Sequence, residues 1–450
     1  MQSCWASVLR ELLSDRAALY GVATKASQAM AGLVTAAFVL HYFSPGIQGF
    51  YYTFGTVLAL QVFIELGLSA VINIFAAHEW SKLSLDQSGS IRGDPDALAR
   101  LRALTRNVFR WYLIGGLLLL ALLAIVGFWF FGTSPDSDAV SWKYPWLAMC
   151  LLASITFGMT PAWALLTGCG QLASLNAFRM AEVVIRSVVL WACVAWGASL
   201  WSAVAASAFS AGAGMAFLAL RYRRFFATLL ETSRRGEFNW RRDVAPIQVR
   251  FAISWLSGYF AFSLFTPAMF HFHGAEDAGR IGMTWALVGG LSGVSSTWLQ
   301  VQAPKFAMMV ARKQFEQLDR VAWRTTLIGT SIFLAGSGVG LGALLLLEAH
   351  RPEIAGRLLP LGPIVVFLGA EFLQQISMVQ STYLRSFKQE PFLKVSLASG
   401  FVTGIGTILL TPSMGAYGPA TSYFLGIVIA LAWGTAIFFR MKQRWTSTTA

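Results

Sequence analysis

WYLIGGLLLLALLAIVGFWFF, residues 111–131, is apolar on every side, with no charge and no alternation of polar with apolar positions. At about 1.5 Å per residue it makes a helix about 30 Å long, the thickness of a bilayer's hydrocarbon core. A barrel strand would be shorter and would alternate. The segment therefore reads as a membrane-spanning helix. The whole chain supports this: its 450 residues are 56% hydrophobic and only 12% charged, with mean hydropathy +0.60. A soluble domain cannot bury that much apolar surface.

Working outward, comparable runs cover 17–43, 46–77, 144–168, 181–197 and 201–220, then 251–270, 281–301, 326–347, 359–384, 395–410 and 417–439. The expected fold class is all-α: a polytopic membrane protein of about twelve helices in two six-helix bundles around a central cavity. The N-terminal bundle takes residues 1–220, a basic cytoplasmic connector 221–250, and the C-terminal bundle 251–450.

Loop charge tests the count independently, because Lys and Arg accumulate on the cytoplasmic side. One set of alternate connections carries Lys82, Arg92, Arg100, Arg102, Arg106 and Arg110, then Arg221 to Arg250, Lys305 to Arg324, Arg385 to Lys394, and Arg440 to Arg444. The other carries Lys143, Arg280, Arg351 and Arg357. An even number of spans and two cytoplasmic termini follow. The net charge of +13 thus faces anionic lipid, and a nucleic-acid partner is not expected. Phe225, Phe226, Leu229 and Leu230 interleave the connector's charges, so it is expected to lie partly on the membrane surface. Residues 1–16 lead into the first span without a small-residue cleavage site, so an uncleaved first helix is expected. Cys4, Cys150, Cys169 and Cys193 are scattered and read as buried small side chains.

Several patterns imitate soluble enzymes. Asp94-Pro95-Asp96 resembles paired metal-holding acids but sits among turn residues. Gly336, Gly338, Gly340 and Gly342 fall inside a span, where close helix packing explains them; Gly289 with Gly293 and Gly400 with Gly404 read the same way. His271 and His273 lack a third metal ligand, and no metal site is expected.

Ionisable groups within spans are more informative, since each costs about 2.5 to 3.5 kcal/mol at the centre of an inserted helix. Lys25 and Glu65 lie about 12 and 18 Å from the inner ends of antiparallel neighbouring spans, at about 1.5 Å per residue. A contact or water-bridged pair between them is feasible, while Lys25 could equally snorkel to the inner surface. Gln61, Glu65, Ser69 and Asn73 recur every fourth residue and form a polar stripe; Lys25, Gln28, Gly32 and Thr35 form another. Glu371, Gln374, Gln375 and Ser381 cluster on one side of the tenth span. Such stripes either bond neighbouring helices or line a polar cavity. Glu182 and Arg186 stand one turn apart and are expected to form a structural ion pair.

A weak internal repeat connects the halves. His41 to Gly49 and His271 to Gly279 have equal spacing, and the Gln61, Glu65, Ser69 stripe is answered by Ser292, Ser296 and Gln300 after a slip of one residue.

The passage FSPGIQGFYYTFGTVLALQVFIELGLSAVI, residues 43–72, resembles the lipid-linked polysaccharide flippases of the multidrug, oligosaccharidyl-lipid and polysaccharide exporter superfamily. The matching features are Pro45, Gly49, Tyr51 and Tyr52, then Glu65 before Leu66, Gly67 and Leu68. The long basic stretch after His78 departs from the family pattern. The resemblance implies a non-enzymatic transporter that moves polyprenyl-diphosphate-linked oligosaccharide to the outer leaflet by alternating access. On that view Lys25, Gln28, Gln61, Glu65, Ser69, Ser292, Ser296 and Gln300 are substrate-cavity candidates, with Lys25 offsetting diphosphate charge. Trp255, Tyr259, Trp285 and Trp298 offer faces for sugar rings. Glu65 and Glu371 are the candidates for ion coupling. No cofactor is expected beyond a proton or sodium gradient; membrane lipids and polysaccharide-assembly enzymes are the expected partners. Two alternatives stay open: a drug or cationic-metabolite exporter of the same superfamily, and a membrane-embedded glycosyltransferase or polymerase. A non-transporting scaffold is a third.

Overall fold

The computed structural model describes residues 16–86, 89–231, 245–387 and 392–447. Residues 1–15 with Cys4, and Arg234, Arg235, Arg241, Arg242 and Lys388, lie outside the described residues. The chain is almost entirely helical: α1 Arg16–Tyr42, α2 Pro45–Leu58, a 3-10 turn Ala59–Gln61, α3 Val62–Glu65, α4 Leu68–Trp80, α5 Pro95–Gly132, α6 Lys143–Gly168, α7 Leu172–Ala195, α8 Trp201–Arg221 and α9 Arg223–Leu230. There follow α10 Ala245–Phe262, α11 Phe265–Ala311, α12 Phe315–His350, α13 Pro352–Ala355, α14 Leu361–Arg385, α15 Leu393–Met414 and α16 Tyr417–Ser447.

Among the described residues, eight helical segments are long and apolar enough to cross a membrane. The other four expected spans also fall on helices, α1, α7, α10 and α11, which carry more polar residues; α7, for example, holds Arg179, Glu182 and Arg186.

Three features differ from the sequence reading. The second span is not one helix, because Leu66 and Gly67 adopt left-handed backbone (φ 50° and 68°) and separate α3 from α4. The stretch after His78 is not a loop. It forms a short hairpin, Leu83–Leu85 against Ile91–Gly93, and then α5 begins, capped by the Asp94 side chain at Asp96 N, 2.9 Å, with Pro95 at the first position. Asp94 and Asp96 therefore start a helix, and the arginines from Arg100 to Arg110 ride on its N-terminal part. Third, α9 packs part of its apolar face into the protein: Phe225 and Leu229 are buried, Phe225 meets the ring of Trp80 and Phe226 that of Phe109, while Leu230 is exposed.

The residues group into two compact units. One gathers Met1–Ser27, Val57–Thr133 and Ser141–Leu256; the other gathers Gln28–Thr56, Ser134–Val140 and Ser257–Ala450. In the first, α6 packs against α4, α5 and α8, and α7 against α8. In the second, α16 packs against α14 and α15, and α11 against α12, α14 and α15. Residues 28–56 join the second unit through backbone-close packing: a Cβ on Gly49 would overlap the Ala275 carbonyl, and one on Gly282 would overlap Tyr52.

Glycine packing explains only part of the small-residue pattern. Gly400 and Gly404 lie against Ser257 and Phe260, and Gly336 against Leu291. Gly289, Gly293, Gly338, Gly340 and Gly342 face open space, so helix packing does not account for them.

Candidate functional site

Glu65 ends α3 at the helix break. Its Oε2 accepts from Gly67 N at 2.9 Å and its Oε1 from Ser69 N at 2.8 Å, and the Tyr112 hydroxyl of α5 donates to Oε1 at 3.1 Å. The residue is buried, 5% exposed. The reason is local. Leu66 and Gly67 break the ladder, which orphans the first N–H groups of α4, and in hydrocarbon those need an acceptor. A carboxylate one turn earlier supplies it. Only glycine takes the left-handed φ at position 67 without a Cβ penalty, and a Cβ there would also press on Phe251.

Lys25 does not pair with Glu65. Its side chain is exposed and makes no ion pair or hydrogen bond among the described residues. Gln28 and Gln61 are also exposed, and Ser69 is half-buried. The four-residue stripe is thus interrupted: Gln61 precedes the break, Ser69 and Asn73 follow it, and Glu65 closes it.

The second unit contains a different carboxylate arrangement. Glu371 of α14 is buried, 5% exposed. The Tyr423 hydroxyl of α16 donates to its Oε1 at 2.5 Å and the Ser292 hydroxyl of α11 to its Oε2 at 2.7 Å. Gln375, one turn along α14, donates from Nε2 to Ser292 Oγ at 2.9 Å. Two residues nominated separately, Ser292 and Glu371, are therefore in direct contact. The Tyr423 ring is fixed by neighbours: Phe262, Phe265, Trp285 and Phe367 surround it with centroids 5.3 to 6.2 Å away. Trp285 thus belongs to an aromatic cluster, whereas Trp255 is exposed. Ser296 bonds the Gly293 carbonyl at 3.0 Å, and Gln300 is exposed, its amide 3.5 Å from Ser296 Oγ.

Glu182 and Arg186 stand 3.5 Å apart, and Ser210 donates to the same Glu182 oxygen at 2.6 Å. His273 Nε2 lies 2.8 Å from the Thr411 carbonyl. Among the described residues no three His, Cys, Asp or Glu side chains group as metal ligands.

Sequence reasoning missed the partners. Tyr112 and Tyr423 lie 47 and 52 residues from their carboxylates, beyond any local periodicity. It also missed a polar cluster in the second unit. There Gln48 Nε2 donates to the Gly279 carbonyl at 2.9 Å and the Arg357 carbonyl at 3.1 Å, and Arg357 Nε donates to Gln48 Oε1 at 2.8 Å. Asp136 accepts from Ala275 N at 2.7 Å and caps the helical stretch that restarts after the non-helical Gly274.

No protein-family model matches the chain, and no curated protein does. Solved structures match along nearly its whole length. The lipid II flippase MurJ in an inward closed conformation superposes with TM-score 0.62 at 12% identity, covering 94% of this chain and 87% of that one. An inward-facing multidrug resistance MATE family transporter of the MOP superfamily gives TM-score 0.61 at 13% identity, covering 92% and 99%. The MATE multidrug transporter DinF-BH gives 0.59 at 16%, covering 96% and 95%. At such identities the likeness establishes a fold: that of the MATE and MurJ transporters.

Proposed function

We propose that this chain is a flippase that carries polyprenyl-diphosphate-linked oligosaccharide from the cytoplasmic to the outer leaflet of a bacterial inner membrane, for surface polysaccharide assembly. Multidrug exporters and a lipid II flippase share the fold, so charge has to decide between them. The observation that carries the proposal is where charge is accessible on the polar stripes. Their acids, Glu65 and Glu371, are buried and bonded within the protein, while Lys25, Gln28, Gln61 and Gln300 are exposed. An ammonium and amides suit a diphosphate and sugar hydroxyls. An exporter of cations would want an accessible carboxylate.

Transport would proceed by alternating exposure of these stripes to the two sides of the membrane, with both termini cytoplasmic. Glu371 is the proposed proton site. Hydroxyls accept as well as donate, so Ser292 and Tyr423 can partner either the carboxylate or the carboxylic acid. The N–H groups at Glu65 only donate, and that residue is assigned a structural role. Enzymes that build the same lipid-linked glycan are the proposed partners.

Reconstitution tests the reading. Proteoliposomes should move lipid-linked oligosaccharide between leaflets without forming glycosidic bonds, and Lys25→Ala should weaken that transport. Drug flux without glycan movement would establish the exporter, and new glycosidic bonds the enzyme.

A further inference from the structure

The chain passes from one compact unit to the other at five places. Two of them, between Thr133 and Ser134 and between Val140 and Ser141, fall in the connection from α5 to α6. The other three fall inside helices: α1 between Ser27 and Gln28, α2 between Thr56 and Val57, and α10 between Leu256 and Ser257. A connection turns freely, whereas a helix shared by two bodies either holds them together or bends.

Each of the three helices carries a glycine at its passage. Gly32 stands one turn beyond Gln28, Gly55 directly before Thr56, and Gly258, the single glycine of α10, directly after Ser257. Close packing requires none of them, because a Cβ at any of the three would meet nothing within 4 Å. None has positive φ, so alanine fits the same helical backbone. We propose that Gly32, Gly55 and Gly258 are the pivots at which α1, α2 and α10 bend when the two units move.

Glycine loses more backbone freedom in a helix than alanine does and so weakens it. Elsewhere in the molecule contact repays that loss: a Cβ on Gly127 would overlap the Trp146 ring, and one on Gly426 the Thr403 hydroxyl. At the three passages no neighbour needs the missing side chain. What glycine leaves there is a soft point in the helix, and small residues that absorb backbone rotation are common hinges.

Two passages carry a second mark. In α2 the α-helical ladder gives way to the 3-10 turn Ala59–Gln61 four residues after Gly55, and a 3-10 stretch inside a long helix often marks a hinge. In α10 Ser257 and Gly258 form a serine–glycine pair, one of the few sequence features at which helices kink. Glycines that no packing requires also stand well inside a unit: Gly158 in α6, Gly212 in α8 and Gly338 in α12. Freedom from contact alone therefore does not make a pivot. Position does, and these three glycines are the controls.

The inference rests on the alternating exposure in the proposed function and not on the substrate named there. Two triple variants are compared with wild type in nanodiscs: Gly32→Ala with Gly55→Ala and Gly258→Ala, and Gly158→Ala with Gly212→Ala and Gly338→Ala. Spin labels carried on p-acetylphenylalanine replace the exposed Lys82 of the first unit and Arg320 of the second. Double electron–electron resonance then reads the spread of distances between them. Both triple variants should unfold about 2 °C or more above wild type, since alanine strengthens a helix wherever it fits. Only the pivot set should narrow the distance distribution, to about half its wild-type width or less, and slow transport about tenfold. A width in the pivot set equal to wild type, or an equal narrowing in the control set, overturns the proposal. A pivot set that unfolds below wild type or does not fold makes these glycines packing residues and overturns it as well. The distance readout needs no substrate, so unchanged widths strike the hinge alone, whereas narrowed widths in a protein that flips no glycan strike the substrate reading alone.

Discussion

Glu65 and Glu371 are both buried glutamates within apolar spans, each bonded to a tyrosine from another helix, yet their remaining partners separate them. Glu65 accepts two backbone N–H groups that a helix break has orphaned, so removing it unmakes the backbone. Glu371 accepts from Ser292 and Tyr423, side chains whose hydroxyls can turn and reverse roles. Residue type and depth alone do not distinguish architecture from chemistry in a membrane. The kind of donor does.

The largest effect expected from this comparison is on stability. Glu65→Ala leaves Gly67 N, Ser69 N and the Tyr112 hydroxyl without their acceptor, at about 1 to 3 kcal/mol for each buried group left unsatisfied. Thermal unfolding in detergent should show a loss of several kcal/mol, or no folded protein. If Glu65→Ala unfolds like wild type, the capping role is wrong.

Glu371→Gln should be milder for the fold, since the amide oxygen still accepts and the hydroxyls can reorient; a loss of about 1 kcal/mol or less is expected. Its effect should instead fall on gradient-driven transport. Matched tyrosine variants sharpen the contrast. Tyr112→Phe and Tyr423→Phe each remove one hydrogen bond to a carboxylate, about 1.5 to 3 kcal/mol, but only Tyr423→Phe should alter how transport responds to pH. Equal pH profiles in the two variants would remove the distinction.

The smallest effect is expected at the ion pair on α7. Arg186 is 42% exposed at its side chain, and Arg186→Ala should cost about 1 kcal/mol or less, with transport unchanged. A large transport defect there would move the functional site to α7.

The helices were legible in the sequence because hydrocarbon imposes a length and a composition. The break at Leu66 and Gly67 was hidden inside an apolar run, and its marker, an acid just before Leu-Gly, reads equally well as a cavity group. Asp94-Pro95-Asp96 was legible as a turn but is a helix start, since an N-cap and a turn use the same residues. The Ser292 and Glu371 contact was half legible: both polar residues stand out in apolar helices, but nothing in one sequence says that α11 and α14 bring them to 2.7 Å. Tyr112 and Tyr423 gave no sign, because an aromatic in a span is ordinarily packing.

The most direct test of the account is flipping of lipid-linked oligosaccharide in proteoliposomes under an imposed pH gradient, with expression-matched wild type, Glu371→Gln and Glu65→Gln. The account predicts that wild type responds to the gradient, that Glu371→Gln stays folded and no longer responds, and that whatever folded Glu65→Gln remains still responds. Loss of the response in folded Glu65→Gln, with Glu371→Gln responding like wild type, would contradict it.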